Sequence, residues 1–203
     1  MIMFFDFERW PVYGVAFLVG YLLGSIPFGV VLTRLSGLGD IRKIGSGNTG
    51  ATNVLRTGNK TLAFMTFLLD ALKATLAIYI AGKWGLDTAI IAGFAAFIGH
   101  LYPCWLKYKG GKGVATYIGV LLGFTMPGFL CFVLCWLAIA FTTRLSSLAA
   151  LVAALVTPLT LLLLNDPLLA KLTFVLSVIL ILRHHQNIRR ILSGTESRVS
   201  LKK

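Results

Sequence analysis

Charge is scarce in this chain, and acidic charge scarcest of all. Only 13% of the 203 residues are charged, and only 7 are Asp or Glu. A globular domain carries about 25% charged residues, so this chain cannot clothe a water-facing surface, and a soluble domain is excluded. Hydrophobic residues reach 57% with a mean hydropathy of +0.85, and they fall in long blocks, so the solvent around most of the chain is lipid. Cysteine is short too. Three cysteines, an odd number, give no disulfide framework. Cys131 and Cys135 stand at i, i+4 in an apolar block without a His or acid beside them, which suits packing or lipid contact better than a metal. Cys104 lies near a polar loop, where acting as a nucleophile would require a nearby base; packing is the simpler reading. The N-terminal stretch has Asp6 and Glu8 but no basic n-region, and no A-x-A site follows the first apolar block. That block is therefore expected to be a retained helix rather than a cleaved signal peptide.

A helix needs about 20 residues to cross about 30 Å of hydrocarbon. The apolar blocks predict an all-α, polytopic membrane protein of seven transmembrane helices in one integral-membrane domain over 1–203. The spans run over 12–33, 61–82, 88–105, 114–126, 128–143, 147–164 and 168–183. Met126-Pro127-Gly128 predicts a tight turn between spans four and five. Ser25-Ile26-Pro27-Phe28-Gly29 interrupts the first span, where Pro27 should kink the helix. Gly20 and Gly24 form a small-xxx-small pair suited to close helix packing. Asp70 and Lys73 sit mid-span at i, i+3, where each can offset the other's charge; a part in the site is the alternative.

What the chain does have is basic charge, net +12, unevenly placed. With the N-terminus outside, one face receives 34–60, 106–113, 144–146 and the tail from Arg183. Fifteen of the 19 basic residues lie there, Lys202 and Lys203 included. Arg9, Lys83 and Lys171 fall on the other face. By the positive-inside rule the basic face, and the C-terminus with it, is cytoplasmic. Nucleic acid is not needed to explain the charge, and the basic segments lack the interleaved aromatics of a single-strand binder.

Three polar stretches fall on that face. Gly45-Ser46-Gly47-Asn48-Thr49-Gly50-Ala51-Thr52-Asn53-Val54-Leu55-Arg56 formally contains G-x-G-x-x-G, but without a βαβ unit this is no dinucleotide fingerprint. Its physics still suits a phosphate. Glycines let amides converge on an anion, Ser46, Asn48 and Asn53 add polar groups, and Arg56 offers a bidentate fork. The bland alternative is a flexible loop with a helix cap. Lys107-Tyr108-Lys109-Gly110-Gly111-Lys112-Gly113-Val114 is not a Walker A loop. Its lysines fit an ordinary positive-inside loop, while Gly110, Gly111 and Gly113 point to close approach of backbone to a ligand. His184-His185-Gln186-Asn187-Ile188-Arg189-Arg190, with Gly194 and Glu196 after it, follows the last span. Histidine is a natural base near neutral pH; the other reading is a basic amphipathic helix on anionic lipid. Few acids leave no metal site in prospect. The D-x-x-D-G and G-x-S-x-G patterns are absent, and so is H-x-x-x-x-D, since Trp105, Arg189 and Arg190 stand five residues after the three histidines.

Taken in order, Gly24 to Gly29, Gly45 to Arg56, Lys109 to Val114, and His184-x-x-Asn187-Ile188-x-Arg190 with Gly194-x-Glu196 resemble the motifs of the bacterial acyl-phosphate:glycerol-3-phosphate acyltransferases, the PlsY type. The resemblance covers most of the chain. It implies a multi-pass protein of the bacterial inner membrane that moves a fatty acyl group from acyl phosphate to the 1-hydroxyl of glycerol-3-phosphate. The products are lysophosphatidic acid and phosphate, at the entry to phospholipid synthesis. No cofactor and no CoA or carrier-protein donor is implied.

The residues suit that reaction on their own chemistry. Two phosphates bring about three to four negative charges together, which Arg56, Lys112 and the glycine loops would offset. An activated donor makes an acyl-enzyme unnecessary, in keeping with the missing nucleophile elbow. The expected roles place Ser46, Asn48 and the amides around Gly45, Gly47 and Gly50 on one phosphate, with Arg56 and Lys112 on the other or bridging both. His184 and Asn187 would orient the hydroxyl, with His184 or the donor phosphate taking its proton. Glu196 would anchor Arg190, and the acyl chain would lie between helices in membrane lipid. The expectation requires the three stretches to meet at one pocket. The alternative function is a transporter or channel for a phosphorylated solute, but such sites sit near the midplane on broken helices, often in repeated halves, and no repeat is visible here. A lipid-surface scaffold would leave the glycine loops unexplained.

Overall fold

The structure, a computed structural model, describes residues 6–198. Among them the chain is helical without strands. The helices are α1 (Trp10–Gly24), α2 (Phe28–Leu35), α3 (Ala51–Leu55), α4 (Lys60–Ala81), α5 (Leu86–Leu101), α6 (Val114–Phe124), α7 (Met126–Thr143), α8 (Ser146–Leu163), α9 (Pro167–Arg183) and α10 (His185–Leu192). Contacts divide them into two compact units, the first ending at Gly123 and the second starting at Phe124.

In the first unit the small residues set the packing. A Cβ on Gly20 would overlap the backbone of Ala92, and one on Gly24 the backbone of Ala96, so α1 lies directly against α5. Gly99 continues the seam against Tyr21 and Ser25. Bare backbone surfaces suit a lipid setting, where close van der Waals contact replaces the hydrophobic drive. Gly119 of α6 meets Ala71 of α4 in the same manner, and Thr75 Oγ1 donates to Gly119 O at 2.8 Å. The first span breaks at Ser25–Pro27 as expected, separating α1 from α2. At the far end of α1, Arg9 Nη1 and Tyr13 OH both bond Asp87 Oδ2, at 2.6 and 2.7 Å, and Arg9 also reaches Trp84 O. This clasp ties the start of the first span to the start of α5.

The second unit stacks α7, α8 and α9. Ala149, Ala150, Ala153 and Ala154 form the buried stripe of α8, and Ser177 Oγ of α9 donates to Ala154 O at 2.6 Å. Arg144 and Asn165, both at positive φ, turn the chain at the ends of α7 and α8. The Asp166 carboxylate then accepts from Leu169 N at 3.1 Å and caps α9.

Helices stand where the seven spans were expected. Among the described residues, five stretches are long and apolar enough to cross a membrane: Trp10–Leu35, Lys60–Trp84, Leu86–Leu106, Met126–Thr143 and Ser146–Leu163. α9 with α10 makes a sixth if their 62° bend is counted within one span. α6 has 11 residues, about half the length that a straight crossing takes. One boundary differs from expectation. Pro127 and Gly128 do not form the turn before the fifth span; they lie in the first turn of α7, and the break falls at Thr125, whose Oγ1 accepts from Gly128 N. The first N–H groups of a helix have no intrahelical partner, so proline there sacrifices nothing.

Candidate active site

Two of the three polar stretches belong to the first unit and share one end of it. Val54 from the first stretch, Ile41 just before it and Leu106, just before the second, bury together with Val30 and Ala63.

Within the first stretch the fold is organised by Asn53, which is 2% exposed. Its Nδ2 donates to Ile41 O, Ile44 O and Asn48 O at 3.0, 3.0 and 2.8 Å. Its Oδ1 accepts from Ser46 N at 3.0 Å. One side chain thus satisfies a loop that has no ladder of its own. Gly45 and Gly47 take positive φ, and a Cβ on Gly45 would come within 2.8 Å of Cδ and Nη1 of Arg56. Arg56 therefore lies along the Gly45 backbone, at the exposed rim. Just before this stretch, Asp40 accepts from Nε and Nη2 of Arg42 at 2.9 and 2.6 Å and from Nη2 of Arg34 at 3.0 Å. The Arg42 hydrogen bonds hold the Asp40 carboxyl well below the usual carboxylate range, against the opposing effect of burial.

This geometry changes part of the expected binding set. The amides of Ser46, Gly47 and Gly50 already donate inside the loop, to Asn53 Oδ1, Ile44 O and Asn48 Oδ1. The exposed polar side chains of this stretch include Arg56 and Ser46, the latter with its Oγ donating to Asn53 Oδ1 at 3.3 Å. Asn53 is a loop organiser, buried beneath them.

In the second stretch the glycines also have a different neighbour from the one expected. Gly110 N donates to Leu101 O at 3.1 Å and Gly111 N to His100 O at 3.0 Å. A Cβ on Gly110 would overlap His100 O, one on Gly111 would overlap His100 Nε2, and one on Gly113 would overlap the Phe97 ring. The close approach that these glycines permit is to the end of α5. Lys112 is held half-buried between them, while Lys109 is exposed.

Under this loop lies a buried polar cluster. Asp70 and Lys73 pair as expected, Nζ to Oδ1, at 2.6 Å. The same Nζ also donates to Ile26 O at 2.7 Å and lies 3.0 Å from His100 Nδ1. An ammonium has three hydrogens, and here each has an acceptor. His100 gave no functional signal in the sequence, being one polar residue at the end of an apolar run.

The third stretch belongs to the second unit. His184, 2% exposed, forms the corner between α9 and α10. Its Nδ1 lies 2.8 Å from Leu180 O. A carbonyl only accepts, so Nδ1 carries the proton and Nε2 carries the lone pair. Glu196 gathers its neighbours: Asn187 Nδ2 at 2.5 Å, Ser147 Oγ at 2.7 Å and Arg190 Nε at 2.6 Å. Burial alone would raise the Glu196 carboxyl, but these donors outweigh it and hold it below its ordinary value. The anchoring of Arg190 was legible in the sequence. Ser147 was not, because a serine opening an alanine-rich helix has no distinguishing spacing. Among the described residues, no group of three His, Cys, Asp or Glu could hold a metal ion.

Comparison with known proteins adds an independent finding. The family model for glycerol-3-phosphate acyltransferase matches residues 14–194. A relative of that name from Agrobacterium fabrum is 60% identical over 189 residues, covering 93% of this chain and 92% of its own. Among solved structures, PlsY (YgiH), an integral membrane glycerol 3-phosphate acyltransferase in its glycerol 3-phosphate form, superposes with a TM-score of 0.87 at 38% identity. The match covers 93% of this chain and 96% of that one. The lysophosphatidic acid form of PlsY matches with a TM-score of 0.86 at 36% identity.

Proposed function

The chain belongs to the glycerol-3-phosphate acyltransferase family, and from that premise we propose that it transfers a fatty acyl group from acyl phosphate to the 1-hydroxyl of glycerol-3-phosphate. The observation that carries the reading is the close likeness, along 93% of this chain, to a protein crystallised with glycerol 3-phosphate and with lysophosphatidic acid, a substrate and product of this kind. The family match runs through both compact units, which supports reading 1–203 as one catalytic domain. The enzyme crosses the bacterial inner membrane seven times, N-terminus outside and C-terminus in the cytoplasm, with the basic stretches on the cytoplasmic side.

In this mechanism the hydroxyl oxygen attacks the acyl carbonyl carbon, and the carbon–oxygen bond to the donor phosphate breaks. The hydroxyl proton passes to Nε2 of His184, inorganic phosphate leaves, and lysophosphatidic acid remains. Nothing is attached to the protein at any step. Arg56, Lys112 and Ser46 hold the phosphates, and Asn48 adds its side-chain amide. Two dianions a few ångströms apart repel by several kcal/mol in a partly dry site, and fixed cations offset that repulsion without reorganising. Holding hydroxyl and carbonyl in contact is worth about 7–11 kcal/mol where the geometry is good. Asn187, fixed by Glu196, orients the hydroxyl beside His184.

The test is purified protein with acyl phosphate and labelled glycerol-3-phosphate, the lipid product being extracted and counted. Acyl-CoA serves as the control donor. Product from acyl phosphate alone is expected, and Lys112→Ala or Arg56→Ala should lower kcat/KM roughly 10²- to 10³-fold while remaining folded in detergent. Uptake of glycerol-3-phosphate into proteoliposomes without acylated product would instead favour a transporter.

A further inference from the structure

Lipid-embedded protein has little reason to bury an ion pair for stability. Taking two charges out of water costs several kcal/mol each, and an apolar trio of similar volume packs as well or better. The Asp70–Lys73–His100 cluster is nevertheless almost wholly enclosed, with side chains 2%, 2% and 5% exposed. It also sits where three parts of the first unit converge. Lys73 reaches the carbonyl of Ile26 in the break of the first span, Asp70 and Lys73 belong to α4, and His100 closes α5 under the lysine loop.

An ammonium only donates, so the 3.0 Å contact of Lys73 Nζ with His100 Nδ1 is a donation to a lone pair on that nitrogen. The ring proton is then on Nε2. That is the atom which faces Gly111, the residue whose backbone amide is fixed on His100 O and whose side-chain space the imidazole fills. Lys112 follows directly. We propose that His100 is a positioning residue: the buried Asp70–Lys73 pair fixes its tautomer, and its Nε2–H edge braces Gly111 so that Lys112 is held in place for a phosphate. The inference rests on the reading of Lys112 as a phosphate ligand. It explains why the loop needs glycine at 111, and why a charged pair is kept beneath an otherwise apolar seam.

Two amide substitutions separate this role from plain packing. His100→Asn keeps an acceptor near the Nδ1 position for Lys73 but leaves the Gly111 side empty. His100→Gln places an amide nitrogen near the Nε2 position. The expected result is a KM for glycerol-3-phosphate or acyl phosphate raised roughly 10- to 100-fold in the Asn variant, with the Gln variant within about threefold of the parent, both compared at similar thermal midpoints. Equal KM values in both variants, or activity falling only in step with stability, would overturn the proposal. If the Asn variant does not fold, Gly111→Ala decides, because its Cβ must push ring and loop apart; an unchanged KM there also overturns it. Inorganic phosphate binding, followed by calorimetry, gives the same comparison without turnover. A parent protein that makes no lipid would defeat the proposed reaction, while the phosphate comparison would still judge the role of His100.

Discussion

His184 shows how one backbone contact selects the chemistry of a side chain. With Nδ1 donating to Leu180 O, the ring is oriented and its basic nitrogen is Nε2. A base contributes about 10²- to 10⁴-fold to a proton-transfer step, so His184→Gln should lower kcat by that order. A fall of less than tenfold would assign the proton to the donor's phosphate oxygen. Glu196 makes a second prediction at this scale, one of stability. Its folded carboxyl is held below its ordinary value of 4.5 by Ser147, Asn187 and Arg190, which together outweigh the raising effect of burial. A depressed folded value means that the contribution is complete above the unfolded value and is lost as pH falls through the folded one. The thermal midpoint in detergent should therefore drop as pH is lowered below about 4.5, and Glu196→Gln should remove that part of the slope. An identical slope in the variant would show that the carboxylate is not what those donors stabilise.

Between helices, the decisive residues are those with nothing beyond Cα. Gly14 and Gly24 lie in the same helix, and only Gly24 is pressed against a neighbour: its Cβ would meet Ala96, while nothing stands within 4 Å of Gly14. Alanine is the better helix former by about 0.8–1.0 kcal/mol, so Gly14→Ala should leave the thermal midpoint unchanged or raised. Gly24→Ala should lower it, by the roughly 1–3 kcal/mol that overpacking costs. Equal midpoints would mean that the α1–α5 seam is looser than its geometry. This contrast also marks the limit of what a sequence discloses. The Gly20/Gly24 spacing, the Pro27 break and the Asp70–Lys73 pair were readable because each depends on neighbours within one helix. The partner of Gly110 and Gly111 was not readable, since His100 reaches them only through the path of the chain from α5. Composition could say that backbone came close to something, and the fold supplies the end of α5 as a neighbour. Asn53 is similar: its type marked the loop as polar, but only the fold shows its amide turned inward to Ile41, Ile44 and Asn48.

For the whole chain, the distribution of cations carries the topology. Arg34, Arg42, Arg56, Lys107, Lys109 and Lys112 gather at one end of the first unit, where the two polar stretches share the cluster of Ile41, Val54 and Leu106. Arg9 and Lys83 mark the opposite end, at the clasp on Asp87 and Trp84. A translocated loop that carries lysine and arginine is disfavoured, so the proposed topology keeps the richer end in the cytoplasm. α6 is the element on which the count depends, because its 11 residues are short for a crossing; if it crosses, 106–113 and the turn at Thr125 lie on opposite sides. With Cys104, Cys131 and Cys135 replaced by alanine, single cysteines at Lys83, Thr125 and Lys171 should react with an impermeant maleimide on intact cells. Cysteines at Lys60, Lys109 and Arg144 should react only after the membrane is opened. Labelling at 125 from the inside would remove α6 from the crossing helices and reverse every segment after it, placing His184 across the membrane from Lys112, an arrangement in which the two could not serve one acyl transfer.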